Sequence, residues 1–247
     1  EKVIEAVHTA SGRIQLAVVP VKAAATIVTL TAGGSAGKEG PCAQIGAGLA
    51  SSLADLLRLA EDDRKKLVVC GISAGFASVF GTPIAGAIFG VEVLFVGSIL
   101  YEVLLPSFVA GITAYQVSSA LGVQYFNHAV SVSPVFSERF FIEVVFAGVF
   151  LGLCSFLVVE IMRMGKTLAA RIPLDAATKA LAGGLTLVGL TLLFSRDFLG
   201  LGLDSIESSL RGYSSPWYSF LMKAVFTSIT LNTGGSGGIV TPLFFIG

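Results

Sequence analysis

Charge is what this sequence has least of. Asp, Glu, Lys and Arg make up 13% of its 247 residues, AVILMFWYC make up 54%, and the mean hydropathy is +0.84. A soluble domain carries about a quarter charged residues because its surface faces water, so that class is excluded. The 16 basic residues balance the 16 acidic ones, which leaves no reason to expect nucleic acid or a bulk electrostatic partner. The 3 cysteines, Cys42, Cys70 and Cys154, are spaced too widely for a disulfide framework or a thiolate metal site. They read as small apolar packing residues. His8 and His128 stand alone; no metal and no cofactor is expected, and proton handling by either is the lesser reading. The chain opens on Glu1-Lys2-Val3-Ile4-Glu5 without a signal peptide and stops after an apolar run. Further sequence is therefore expected beyond both ends.

The few charges are bunched. None occurs between Lys66 and Glu92, between Glu102 and Glu138, or after Lys223, and each gap is long enough for the roughly 20 apolar residues of a membrane helix. The expected fold class is an all-α polytopic membrane protein. Helical segments are expected near 1–9, 16–32, 41–59, 64–80, 84–100, 103–121, 138–164, 176–194 and 217–233, with another starting at 240. The prolines fall at the edges of these segments, where a residue without an N–H belongs. Several segments are too short to span a bilayer, which points to helices broken at membrane depth. Such breaks are tolerated only inside protein or along an aqueous path. Small residues over 71–78 suit close helix packing. Glu61-Asp62-Asp63-Arg64-Lys65-Lys66 reads as a solvated loop, and with Arg163, Lys166 and Arg171 marks a candidate cytoplasmic side.

An internal repeat is the most informative feature. Residues 21–46 laid over 222–247 without a gap give 12 identities in 26 positions, among them Lys22/Lys223, Thr26/Thr227, Thr29/Thr230 and Ser35/Ser236. Both copies contain Gly-Gly-Ser-x-Gly-x-x-x-Pro, ending at Pro41 and Pro242. Each reads as an apolar helix, a glycine-rich break and a proline opening a new helix. Corresponding Gly/Pro-interrupted segments are the sequence mark of a binding site near the bilayer midplane. Glycines leave backbone N–H groups accessible, and a helix start adds unpaired N–H groups at the positive end of its dipole. Two such starts can hold an anion without a buried cation. The candidate anion-binding backbone is Gly37, Lys38 and Gly40 in one copy and Gly238, Ile239, Val240 and Thr241 in the other. The hydroxyls of Ser35, Ser236 and Thr241 are weaker candidates, since local turn and cap bonding accounts for each equally well.

The copies differ in one telling place. Where the second has Val240, the first has Glu39. An ionisable residue at membrane depth is costly and is by default functional. Ionised, its carboxylate competes with an anion for the helix start; protonated, it releases the site. A plain capping carboxylate is the alternative. Residues 33–39 also invite a phosphate-loop reading, but Ala32 stands where that motif needs glycine and Glu39 where it needs Ser or Thr. A P-loop-like nucleotide-binding enzyme is thus the remote alternative, and no nucleophile–base pair supports any other enzyme.

Gly37-Lys38-Glu39-Gly40-Pro41 resembles the gate motif of the CLC family of chloride channels and halide/proton exchangers. Gln44-Ile45-Gly46, Gly71-Ile72-Ser73-Ala74-Gly75, Thr82 to Phe89 followed by Glu92, and Gly200-x-Gly202 with Ile206 are similar to further family segments. The resemblance covers essentially the whole chain. It implies two inverted membrane repeats, dividing near 122–137 into 1–125 and 126–247, in a multi-pass protein of the cell membrane. It also implies a homodimer in the lipid bilayer with a pore in each subunit, and Glu39 as external gate. The family's inner serine is expected before residue 1 and its inner tyrosine beyond Gly247. The transported ion is chloride as the family default, or fluoride exchanged for protons. Two departures from the family pattern bear on this. Val240 in Gly238-Ile239-Val240-Thr241-Pro242 replaces the family's phenylalanine and resembles the fluoride branch. Val93 stands where chloride exchangers place a second proton glutamate, which fits either a passive channel or the fluoride branch.

Overall fold

The computed structural model describes residues 2–93, 101–125 and 137–247, the side chains of residues 2, 5, 8 and 9 aside. His128 lies outside this range, as does the side chain of His8. Among the described residues the chain is helical, without strands. Its helices are α1 (Lys2–Thr9), α2 (Val18–Thr31), α3 (Glu39–Leu56), α4 (Glu61–Phe80), α5 (Pro83–Glu92), α6 (Tyr101–Ala120), α7 (Glu138–Arg171), α8 (Ala176–Leu193), α9 (Leu203–Leu210), α10 (Ser219–Asn232) and α11 (Val240–Ile246), with a 3₁₀ turn at Arg196–Phe198. α6, α7 and α8 are long and apolar enough to cross a membrane. α2 and α5 are apolar but have only 14 and 10 residues, about 21 and 15 Å of rise, and cannot cross alone.

The segments foreseen from sequence are present, with four corrections. Glu61 to Lys66 is no loop but the opening of α4, where Glu61, Asp62 and Asp63 occupy the first turn and favour its positive dipole end. Arg64 there is buried and paired with Asp55 at 2.8 Å. Pro106 lies inside α6 rather than at its edge; as the sixth residue it forfeits one bond, the one to Glu102, close to the helix start. α7 runs to Arg171, past the expected end at 164. The short α9 had no periodic signal long enough to announce it. Residues 94–100, expected to extend α5, lie outside the described range.

Two compact units emerge. The first holds Glu1–Val28, Lys38–Phe126 and Ser236–Gly238. Its core joins Val3, Val7 and Ile14 to Ala43 and Ala47 of α3, Val68, Val69, Cys70 and Ile72 of α4, Val91 and Val103. α3 and α4 touch backbone to backbone: a β-carbon on Gly46 would strike the Gly71 carbonyl, and one on Gly71 would lie 2.6 Å from the Ala50 β-carbon. α4 ends on Gly81 at φ 71°, which glycine adopts freely, and Pro83 then opens α5.

Ser51 ties the α1–α2 turn to α3. Its fully buried hydroxyl donates to the Gly12 carbonyl and accepts from the Ile14 N–H, both at 2.9 Å. Ser51→Ala would orphan both backbone groups. The expected cost is about 1–3 kcal/mol, read as a lower melting temperature in detergent, whereas the exposed neighbour Leu53→Ala should change little.

The second unit holds Thr29–Gly37, Asn127–Gly235 and Ile239–Gly247. Leu187, Phe198 and Phe226 form its core with Tyr218, Met222 and Phe245 against them. α10 packs on α7, where the Ser228 hydroxyl donates to the Ile161 carbonyl at 3.1 Å and a β-carbon on Gly165 would strike the Ser228 hydroxyl. Asp175 caps α8 by accepting from Ala177 and Thr178, and the Thr178 hydroxyl bond holds its carboxyl below the usual carboxylate range. Phe146, Phe150 and Phe156 of α7 stand exposed, as a lipid-facing surface requires.

Candidate functional site

The two repeated breaks fold alike. α2 ends on Gly33 at φ 85° and α10 on Gly234 at φ 115°, a backbone region that favours glycine. Gly34 N–H donates to the Thr29 carbonyl at 2.8 Å, and Gly235 N–H to the Thr230 carbonyl at 2.9 Å. These are equivalent six-residue closures that satisfy carbonyls at the two helix ends. Neither position has room for a side chain, since a β-carbon would come within 2.6 Å of Thr29 or Thr230 atoms.

The helices that follow also start alike. α3 begins at Glu39 and α11 at Val240, two residues before the repeated prolines. Pro41 and Pro242 thus sit in the first turn, where their missing N–H costs nothing. The N-cap residues are Lys38 and Ile239, and neither side chain caps the helix. A lysine offers only donors and an isoleucine neither donor nor acceptor, so first-turn N–H groups at both starts must look beyond their own caps. Such starts are suited to an anion.

Within the first unit the structure brings Glu39, Gly40 and Gly238 together. Glu39 is buried at 1% exposure as the first residue of α3. A β-carbon on Gly238 would lie 3.0 Å from the Gly40 nitrogen and 3.5 Å from Glu39 Oε2. The carboxylate therefore lies beside the backbone of the second glycine break. Lys38 is half-buried in this unit, and the second unit holds buried Gly37, exposed Ile239, half-buried Val240 and buried Thr241. Gly238→Ala places a methyl group 3.0 Å from the Gly40 nitrogen, closer than ordinary contact, so the two backbones must part by a few tenths of an ångström and anion binding is expected to weaken. Isothermal titration with halide salts checks this.

The serines of both breaks find partners far along the chain. Ser35 is fully buried; its N–H donates to the Thr230 hydroxyl at 3.0 Å and its hydroxyl pairs with that of Thr227 at 3.0 Å. Ser236 pairs with the Thr26 hydroxyl at 3.1 Å and accepts from the Lys22 ammonium at 3.3 Å. These partners lie about 200 residues away along the chain. The threonines and lysines concerned are repeat identities to which sequence reasoning gave no role. Their signal was polar residues at helical spacing, held in both copies of an otherwise apolar helix.

Lys223 departs from its counterpart. It is wholly buried, donates to the carbonyls of Phe198 at 3.2 Å and Gly200 at 2.9 Å, and lies 5.1 Å from the centre of the Phe245 ring. Among the described residues no carboxylate lies within salt-bridge distance of it. It fastens the glycine loop that leads into α9, whose N-cap Gly202 takes φ 77°.

Half-length apolar helices ending in repeated glycine breaks, with a buried carboxylate at one of the helix starts that follow, are the arrangement of membrane proteins built on broken helices. The chain belongs to the voltage-gated chloride channel family, whose model matches residues 1–247. It is 38% identical over 252 residues to a chloride/fluoride channel protein of Pseudomonas syringae pv. tomato, covering 99% of this chain and 56% of the relative. It is 29% identical over 255 residues to the voltage-gated ClC-type chloride channel ClcB of Shigella flexneri, covering 99% of this chain and 58% of that one. The crystal structure of a CLC-type fluoride/proton antiporter matches with a TM-score of 0.93 and 33% identity, over 99% of this chain and 62% of that chain. The chain thus spans little more than half the length of these curated relatives. It is a multi-pass membrane protein with the CLC-type helical fold.

Proposed function

We propose that this chain forms the anion pathway of a halide transporter in the cell membrane and that Glu39 is its gate. One observation carries the reading: a carboxylate buried at the first residue of α3 and set against Gly238 of the second break. In the first unit the backbone N–H groups of Lys38, Gly40 and Gly238 are the proposed anion ligands, and in the second unit those of Gly37, Ile239, Val240 and Thr241. The ionised carboxylate occupies that ground, and its protonation makes room for the anion. No bond is made or broken in the transported ion, so the activity is transport rather than enzymatic catalysis. The break at Gly33 joins two helices, whereas a phosphate loop follows a strand, and this removes support from a nucleotide-binding reading.

Chloride is the family's default ion. Fluoride exchanged for protons is the second reading, supported by Val240 and Thr241 at the start of α11 and by Val93 directly after Glu92. The fluoride named for two of the relatives points the same way. A homodimer in the lipid bilayer, one pore to each subunit, comes with the family resemblance, as do the repeats 1–125 and 126–247. Liposomes containing the complete protein and loaded with fluoride or chloride test the reading, with external protons recorded. Halide efflux is expected, and proton uptake coupled to fluoride efflux assigns the exchanger. Nucleotide binding without anion flux would overturn it.

A further inference from the structure

Each glycine break is held by the other repeat's helix. Ser236 belongs to the second break, yet its hydroxyl meets Thr26 and Lys22 of α2, 3.1 and 3.3 Å away. Ser35 belongs to the first break, yet it meets Thr227 and Thr230 of α10, each at 3.0 Å. Thr26 and Thr227 are equivalent positions in the repeat, as are Ser35 and Ser236, so the two contacts form a reciprocal pair. Local turn chemistry does not explain this, because the bonded residues are 210 and 192 positions apart.

The bonds are placed where they control the site. Ser236 lies two residues before Gly238, whose backbone faces Gly40 and the Glu39 carboxylate. Ser35 lies two residues before Gly37, at the entry to α3. On α10 the Thr230 hydroxyl donates to the Phe226 carbonyl at 2.9 Å, which leaves its oxygen to accept from the Ser35 N–H. Ser35 is therefore fixed at its backbone and at its side chain, from positions three apart on one helix face. Ser236 is fixed from positions four apart on α2, with the ammonium of Lys22 as a charged donor. Lys223, the equivalent of Lys22, serves the Phe198–Gly200 carbonyls instead, so the two latches have diverged around a shared threonine–serine core.

We propose that Thr26 and Thr227 are positioning residues that act through Ser236 and Ser35 to set the two glycine breaks for anion binding. Glycine-rich backbone is conformationally loose, and an anion cradle of N–H groups works only if those groups are already aimed. The threonines supply that aim from a rigid helix. This rests on the halide reading above for its transport consequence, but not for its structural one.

The test uses Thr227→Val and Thr26→Val, which keep the branched shape and delete the hydroxyl, with Thr→Ser at both positions as rescue. Hydrogen exchange of backbone amides is followed in the complete protein in detergent, and halide efflux in liposomes. Thr227→Val is expected to speed exchange about fivefold over residues 35–38, roughly 190 positions away, while the amides of α10 stay protected. Thr26→Val should do the same over 236–239. The halide concentration for half-maximal efflux is expected to rise about fivefold in each, and serine should restore both measurements. Ser35→Ala and Ser236→Ala test the same bonds from the other end should a valine variant fail to fold. Unchanged exchange at the distant break in folded valine or alanine variants would overturn the proposal, as would faster exchange with wild-type halide dependence. If the wild type moves no halide, the transport reading fails, and exchange at the two breaks still decides whether the latches exist.

Discussion

Glu39→Gln is expected to make transport insensitive to external protons. Glutamine keeps the length and shape of the side chain and deletes the charge, so it imitates the protonated carboxyl at the start of α3. Glu39 is almost wholly inaccessible, and its Oε2 lies beside Gly238; a charge there cannot be screened by water as a surface carboxylate is. On the proposed gate reading, the ionised carboxylate would take the ground of an anion among N–H groups at a helix start. With glutamine in its place, a channel should lose its response to external pH, and an exchanger should lose proton uptake down to the background leak. A channel would then stay open, and a chloride-type exchanger would keep passive anion flux. A fluoride-type exchanger would stall, because its cycle needs the proton to vacate the site. The competing account, a carboxylate that merely caps α3, predicts lower stability and yield with normal coupling in the protein that does fold. Wild-type pH response and proton uptake in well-folded Glu39→Gln would therefore end the gate assignment.

Gly71→Val should cost the first unit its fold. A β-carbon at this position would strike the Gly46 carbonyl oxygen and lie 2.6 Å from the Ala50 β-carbon. The obstacle on the α3 side is backbone, which cannot rotate away as a side chain can. Relief requires α3 and α4 to separate, and their shared face includes Ala43, Ala47, Val68, Val69 and Ile72. Overpacking of a well-filled core costs about 1–3 kcal/mol where neighbours can adjust, and here the expected loss is at the top of that range or above it. A sharp fall in the detergent-solubilised monodisperse fraction, together with a lower melting temperature, is the expected readout. The control is Gly148→Ala on α7, where a β-carbon meets nothing within 4 Å. That change should be neutral or raise stability by about 0.5–1 kcal/mol through helix propensity. Equal losses from the two substitutions would mean that the α3–α4 contact is not the close packing described.

The two expected results depend on different levels of information. Glu39 was legible in the sequence because Lys38 and Glu39 interrupt a long uncharged stretch, and the repeat placed Glu39 opposite Val240. The close contact of Gly71 with Gly46 was legible only as composition: small residues over 71–78 announced close packing without naming the partner. The opening of α4 was misread because six consecutive charged residues resemble a solvated loop. Its acidic residues come first and its basic residues after, an order that favours a helix start once Arg64 finds Asp55. Pro106 was misplaced for a related reason, since a proline near a helix start is tolerated there and gives no fixed boundary.

By itself the sequence determined that the protein is helical and lies in a membrane, that two breaks repeat within it, and that one of them carries a carboxylate. These follow from hydropathy, glycine and proline, whose effects act over a few neighbouring residues. Tertiary structure alone decided that Ser35 would bond Thr227 and Thr230, that Ser236 would bond Thr26 and Lys22, and that Lys223 would turn instead to the carbonyls of Phe198 and Gly200. A hydroxyl or an ammonium can satisfy its hydrogen bonds with many partners. Which one it meets is set by how the apolar faces of distant helices pack, and that packing is not written at the polar residue itself.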